Sequence, residues 1–296
     1  DRRRLAAVLV LTLIYMVAEL LGSLWTGSLA LLADAGHMLT DVAAIALAIG
    51  ALWVARRPPT VQHTYGFHRV EILAALVNGL ALWAIVAWIA VEAIQRLRSP
   101  TEVLAGPMMA IAAGGLAVNV VAFWILHRRH EETVQRSLNL HGAILHVLGD
   151  LLGSAGALAA GAVIWTTGWE PADPIASLVI SALILAASWR LVRDAVHILL
   201  EGAPRGIDVP TLIDRVLAVQ GVSGIHDLHV WTLTSGYPAL SAHVVCGHAE
   251  EREMLLARVN RLLREEFGIL HTTIQLERLS PPGHTEPMTY TIETVE

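Results

Sequence analysis

Six stretches of about 20 or more mostly apolar residues occupy the first two thirds of the chain, at roughly 5–25, 29–54, 69–95, 105–127, 139–166 and 173–200. At a rise of about 1.5 Å per residue, each is long enough to cross a hydrocarbon core about 30 Å thick as a helix. Six crossings place both termini on one side. After about residue 204 the pattern changes: Pro204 and Gly206 break the last helix, and the apolar runs become short and alternating or amphipathic. The spacing there predicts a helix over 209–219, strands over 223–233 and 238–246, a helix over 250–267 and a strand over 270–278. Together these form a small α+β sandwich with an antiparallel sheet. Beyond Ser280, the residues Pro281, Pro282, Gly283 and Pro287 predict a loose tail. The expected division is a six-helix transmembrane domain at 1–204, a cytoplasmic domain at 205–280 and a flexible tail at 281–296.

Composition agrees with a membrane class: 55% of the 296 residues are apolar, 16% are charged, and the mean hydropathy is +0.57. The first apolar stretch follows Arg2, Arg3 and Arg4, as in a signal peptide, but it runs too long and further spans follow it, so a retained helix is expected. Arginine placement orients the spans. Arg2 to Arg4, Arg56, Arg57, Arg69, Arg128, Arg129, Arg136, Arg190 and Arg193 fall on one side, against Arg96 and Arg98 on the other. Both termini are therefore expected in the cytoplasm. A net charge of -6 gives no electrostatic footprint for nucleic acid. The single cysteine, Cys246, excludes an intramolecular disulfide framework and any multi-cysteine metal site, which leaves His and carboxylate as metal ligands.

Ionisable residues inside apolar spans are costly, at roughly 2.5 kcal/mol or more per charged group, and so are functional suspects. The second span carries Asp34, His37 and Asp41 in LLADAGHMLTD, and the fifth carries His146 and Asp150 in HVLGD. In each helix the His and the Asp are one turn apart and share a face. Both pairs fall near mid-depth, so two imidazoles and two carboxylates can converge as a four-ligand shell suited to tetrahedral Zn²⁺. Ca²⁺ and Mg²⁺ prefer more oxygens. Asp34, one turn before His37, is an outer relay, a fifth ligand or a helix cap. Asn78 and Asn119 either line the path or make interhelical hydrogen bonds, with the second favoured.

With these residues in place, the chain resembles the cation diffusion facilitator family of proton-coupled zinc exporters. The resemblance rests on the paired HxxxD motifs, on TYGFHRVEILAALVN from Thr64 to Asn78, on DPIASL from Asp173 to Leu178, and on HDLHVW followed by TTIQLE in the last domain. It implies a homodimer with ferredoxin-like cytoplasmic domains in a bacterial inner membrane, exchanging cytosolic Zn²⁺ for external protons by alternating access. His37 in the second span favours zinc within that family. The resemblance also implies a regulatory zinc site in the cytoplasmic domain from His226, His243 and Glu277, with Gln275 standing where some bacterial members carry His. His63 and His68, after the second span, are candidates for a further loop site. Strand periodicity sets His226 and His229 on opposite faces, so they cannot share an ion without a bulge. Neither HExxH nor a serine motif offers catalytic machinery, and a saturated shell leaves no position for a reacting water, so no enzyme is expected. Exporters of Cd²⁺, Co²⁺ or Ni²⁺ share the ligand preferences of zinc. A membrane-anchored zinc sensor would leave the mid-depth pairs unexplained.

Overall fold

The computed structural model describes the backbone of residues 2–127, 137–234, 236–247 and 252–278, with side chains from 12 to 121 and from 149 onward within those ranges. Six long helices come first: α1 (Arg2–Thr26), α2 (Leu29–Ala55), α3 (Val70–Arg98), α4 (Ala105–His127), α5 (Ser137–Thr167) and α6 (Ala172–Leu199). They are followed by α7 (Val209–Leu217), β1 (Val222–Thr234), β2 (Tyr237–Cys246), α8 (Arg252–Phe267) and β3 (His271–Arg278). The tail expected at 281–296 lies outside the described residues. Two compact units emerge, one of Asp1–Gly50 with Ala74–Val192, the other of Ala51–Leu73 with Arg193–Glu296.

Among the described residues, α2, α3, α6 and the Gly149–Thr167 part of α5 are long and apolar enough to cross a membrane, while Thr12–Thr26 and Ala105–Val121 are apolar but shorter. In the first unit the usual burial pattern is inverted. Ile14, Leu24, Trp25, Ile49, Trp165 and Val179 are exposed, whereas Glu19, Asp34, Ser154, Asp173 and Ser177 are buried. A hydrocarbon solvent selects that distribution, because apolar side chains cost nothing against lipid and polar ones must find partners inside. Leu29, Leu31, Ile89, Met108, Ala112 and Ala157 form part of its core. Small residues let helices approach: a Cβ built on Gly161 of α5 would sit 2.6 Å from the Met109 side chain of α4. Trp83 of α3 stacks on Trp189 of α6, with ring centroids 5.4 Å apart, and donates its indole N–H to Ser188 at 3.0 Å.

The start of α2 shows how polar atoms are satisfied in such a setting. Its first N–H groups have no partner within the helix. Ser28 caps it by accepting from Leu31 N at 3.2 Å, and Asp173, from the first turn of α6, accepts from Leu29 N at 2.7 Å, Ala30 N at 3.1 Å and the Ser28 hydroxyl at 2.6 Å. A carboxylate there also meets the positive end of the helix dipole.

In the second unit the sheet order is β1-β2-β3. The pair β1–β2 is antiparallel with His226 opposite His243, but β2–β3 is parallel with His243 opposite Gln275. The antiparallel sheet expected from sequence thus holds only for its first pair. The reason is the connection: α8 carries the chain back along the sheet, so β3 re-enters in the direction of β2, which a tight turn could not achieve. Leu212 and Val216 of α7 and Leu255, Val259 and Leu263 of α8 pack on Leu240, Ala242 and Val244 of β2. The alternate β2 residues, including His243, lie on the other face.

Candidate metal centre

The first unit brings His37 and Asp41 of α2 together with Asp150 of α5. Their donor atoms all lie within 4.8 Å of one another. His37 Nε2 stands 3.8 Å from Asp41 Oδ2 and 3.7 Å from Asp150 Oδ1. These separations exceed an ordinary hydrogen bond. A tetrahedral zinc shell with bonds of about 2.0–2.2 Å spaces its donors by roughly 3.3–3.6 Å, only tenths of an ångström less. His37 and Asp150 are each 15% exposed and Asp41 is 32% exposed, so the group is sheltered without being sealed. The side chain of His146, the fourth expected ligand, lies outside the described residues; its backbone belongs to α5, one turn before Asp150.

Asp34 is not part of that trio, and it does not cap α2, because Ser28 and Asp173 perform that task. Instead it accepts from the Ser154 hydroxyl of α5 at 3.1 Å. Asn119 of α4 donates to Ser154 at 3.5 Å, an interhelical hydrogen bond of the kind expected for it. Close approach of Asp34 to α5 depends on Gly153, where an added Cβ would lie 2.6 Å from Asp34 Oδ1.

The second unit brings His226, His243 and Glu277 together, again within 4.8 Å. Glu277 Oε2 lies 3.0 Å from His226 Nε2, and its Oε1 lies 3.0 Å from His243 Nδ1. Burial pushes the Glu277 carboxyl up, but hydrogen bonds from Gln275 and His226 and the nearby His243 and His226 outweigh it and hold the group below the usual carboxylate range. Gln275 donates to Glu277 Oε1 at 2.7 Å, so it orients the carboxylate where a histidine was the alternative. Two nitrogens and a carboxylate suit zinc, and each His–Glu hydrogen bond occupies a position a metal ion can take.

A bulge does form between His226 and His229. The register shifts there, and Asp227 adopts φ 49°, a left-handed conformation that Asp tolerates better than most residues. His229 is thereby turned to Asp227 Oδ1, 3.1 Å away, while Asp227 Oδ2 lies 3.6 Å from His243 Nε2. His63 and His68 belong to neither cluster among the described residues. The His63 ring packs on Phe67 at 4.7 Å and that of His68 stacks on Tyr237 at 6.0 Å. Both line a cavity of about 1030 Å³ within the second unit, together with Arg69, Glu201, Asp227 and His229.

Sequence reasoning passed over two features of this arrangement. Asp173 was noticed only as part of a motif, although a carboxylate at the start of an apolar span is itself a capping signal. Glu19, an acid in the middle of the first apolar stretch, carries the same warning as Asp34 and went unread.

Comparison with known proteins gives two family matches: "Cation efflux transmembrane domain" over residues 5–200 and "Cation efflux protein, cytoplasmic domain" over residues 204–279. The chain is 46% identical over 278 residues to the zinc transporter ZitB of Escherichia coli (strain K12), covering 94% of this chain and 88% of the relative. It is 41% identical over 266 residues to the cadmium, cobalt and zinc/H(+)-K(+) antiporter of Bacillus subtilis (strain 168), covering 89% of this chain and 85% of that one. Among solved structures, the metal-bound C-terminal domain of the CzcD transporter from Cuprividus metallidurans is 38% identical, covers 24% of this chain and 99% of its own, and superposes with a TM-score of 0.23.

Proposed function

This chain belongs to the cation efflux family, and from that premise we infer that it exports Zn²⁺ from the cytoplasm by exchange for protons. It is an integral membrane transporter and not an enzyme. The observation that carries the reading is the convergence of His37, Asp41 and Asp150 from two different helices at metal-shell spacing. His146, one turn before Asp150, completes the shell as two nitrogens and two oxygens. All six long helices cross the bilayer, with the transmembrane domain at 1–204, the cytoplasmic domain at 205–280 and both termini in the cytoplasm of a bacterial cell.

The chemistry of the cycle follows from competition. Zn²⁺ binds deprotonated imidazole and carboxylate, so metal and protons exclude one another at the same atoms. Imidazole titrates near neutrality, which lets one site load from the cytoplasm and release outward as protons return. Two carboxylates offset the charge of the ion during its passage. In the cytoplasmic domain, His226, His243 and Glu277 hold a regulatory zinc ion that stabilises a homodimer. A broader export that includes cadmium and cobalt is the second reading, favoured by the Bacillus relative whose name includes both metals.

The test is metal uptake into proteoliposomes under an imposed pH gradient, with Zn²⁺, Cd²⁺ and Mn²⁺ in parallel. Zinc accumulation that collapses when the gradient is removed is the expected result, with manganese excluded. Tight zinc binding without flux would replace the exporter with a membrane-anchored sensor.

A further inference from the structure

The first unit encloses a second acidic group that the metal-binding scheme leaves unused. Glu19 of α1 is fully buried and Asp34 of α2 is 2% exposed. Their carboxyl groups meet in hydrogen-bond contact, yet two ionised carboxylates have no hydrogen to place between them. Among the described residues, the surroundings offer Glu19 only the Tyr15 hydroxyl. Tyr15 has a single hydroxyl hydrogen, and its oxygen lies 2.8 Å from the Ile111 carbonyl oxygen but 3.3 Å from Glu19 Oε1, so the shorter bond takes it. Glu19 Oε2 has no hydrogen-bond partner among the described residues. Ser154, backed by Asn119, satisfies one oxygen of Asp34 only.

Among the described residues, no cation is placed against the pair either. The charged groups acting on it are its own two members and Asp150 of α5, with the Tyr15 hydroxyl beside them and His37 one turn further along α2. Two bare negative charges in contact, buried in the helical body and facing a third, are too costly to persist. A single proton between the carboxyls removes one charge and supplies the missing hydrogen. The electrostatic repulsion from Asp150 then links the occupancy of that proton to the occupancy of the metal trio.

We propose that Glu19 and Asp34 together hold one exchangeable proton, and that this pair carries a proton traded for the metal, separately from the metal ligands. The proposal rests on the exchanger reading above. Without metal the pair has one O–H bond and one negative charge. Zn²⁺ arriving at the trio adds two positive charges beside it, the O–H bond breaks, the proton leaves to water and two carboxylates remain. Departure of the metal reverses each step. Two positive charges enter for the one released here, and the remaining balance falls to the trio itself. Among the described residues Glu19 belongs to no metal-ligand cluster, so its role is that of a proton carrier and not of a metal ligand.

The test uses the full chain in proteoliposomes, as wild type, Glu19→Gln and Asp34→Asn, with three readouts: zinc affinity, zinc-for-zinc exchange at equal pH, and protons moved per zinc under a gradient. Glu19→Gln is expected to keep zinc-for-zinc exchange while losing one proton per zinc and flattening the pH dependence of zinc affinity, and Asp34→Asn should lose the same proton. An unchanged proton-to-zinc ratio in Glu19→Gln would overturn the proposal while leaving the exchanger reading intact. Wild-type zinc flux indifferent to the gradient would overturn both. If either variant fails to assemble, infrared difference spectra of the wild type decide: zinc should abolish the C=O stretch of a buried protonated carboxyl, and a band indifferent to zinc would reduce the pair to a structural contact.

Discussion

His37 is placed between two carboxylates, Asp41 on its own helix and Asp150 on α5, at distances too long for hydrogen bonds and near those of a shared ion. Replacing Asp150 with Ala removes one of the two charges that offset the metal. Zinc affinity should fall by more than the roughly 10–100-fold typical of a change outside the ligand shell, with folding retained, as read by isothermal titration on the purified protein. In the cytoplasmic cluster, Glu277 bridges two histidines and is held below the usual carboxylate range by the hydrogen bonds and charges around it. Glu277→Gln keeps the shape and removes the charge, so bound zinc measured by elemental analysis should fall by one ion per chain while ions bound at the His37 site remain. The set at His37 was legible from spacing, since His and acid side chains one turn apart inside an apolar span have few other uses, whereas His226, His243 and Glu277 were expected only from the family resemblance. Asp227 was legible from neither, because the conformation that turns it toward His229 and His243 is a property of the bulge and not of residue type.

The helices show which elements sequence periodicity reads well. Long apolar runs marked α1 to α6 to within a few residues, since lipid-length helices leave no alternative use for twenty apolar side chains. What periodicity could not give was the tie between α2 and α6. Asp173 satisfies two backbone N–H groups and a hydroxyl at the start of α2, and Asp173→Ala leaves them buried without an acceptor. Loss of such a cap costs about 1–2 kcal/mol, which should appear as a lower melting temperature in detergent. Nor could it give the direction of β3, which depends on the crossover through α8 rather than on any pattern within the strand. In the cytoplasmic domain, α7 and α8 are joined by Arg215, which donates to Glu266 at 2.7 and 2.5 Å, and α7 is capped by Asp208. The Thr211 hydroxyl and N–H hold Asp208 below the usual carboxylate range, and Arg215 does the same for Glu266. Groups with depressed folded-state values stabilise the fold above the ordinary carboxylate range and lose that contribution as pH falls through the depressed value. Denaturant midpoints of the cytoplasmic domain should therefore drop on acidification, and less steeply in a Glu266→Gln, Asp208→Asn double variant.

At the scale of the molecule, the two units divide the chemistry: one buries acids in an apolar helical body, the other gathers histidines on a sheet. A regulatory ion in the second suits a homodimer, so light scattering should give twice the chain mass with zinc, and Glu277→Gln should weaken that association. The grouping of Ala51–Leu73 with the sheet was beyond sequence reading, because Arg69 reaching Glu201 at 2.9 Å and Glu71 accepting from Thr234 at 2.8 Å join segments more than a hundred residues apart. The central claim is that the ion crosses through His37, Asp41 and Asp150. Its most direct test is pH-gradient-driven zinc uptake into proteoliposomes by wild type, His37→Ala and Asp150→Ala at matched protein content. Uptake by the wild type and none by either variant is the predicted result; full uptake by Asp150→Ala would place the path elsewhere.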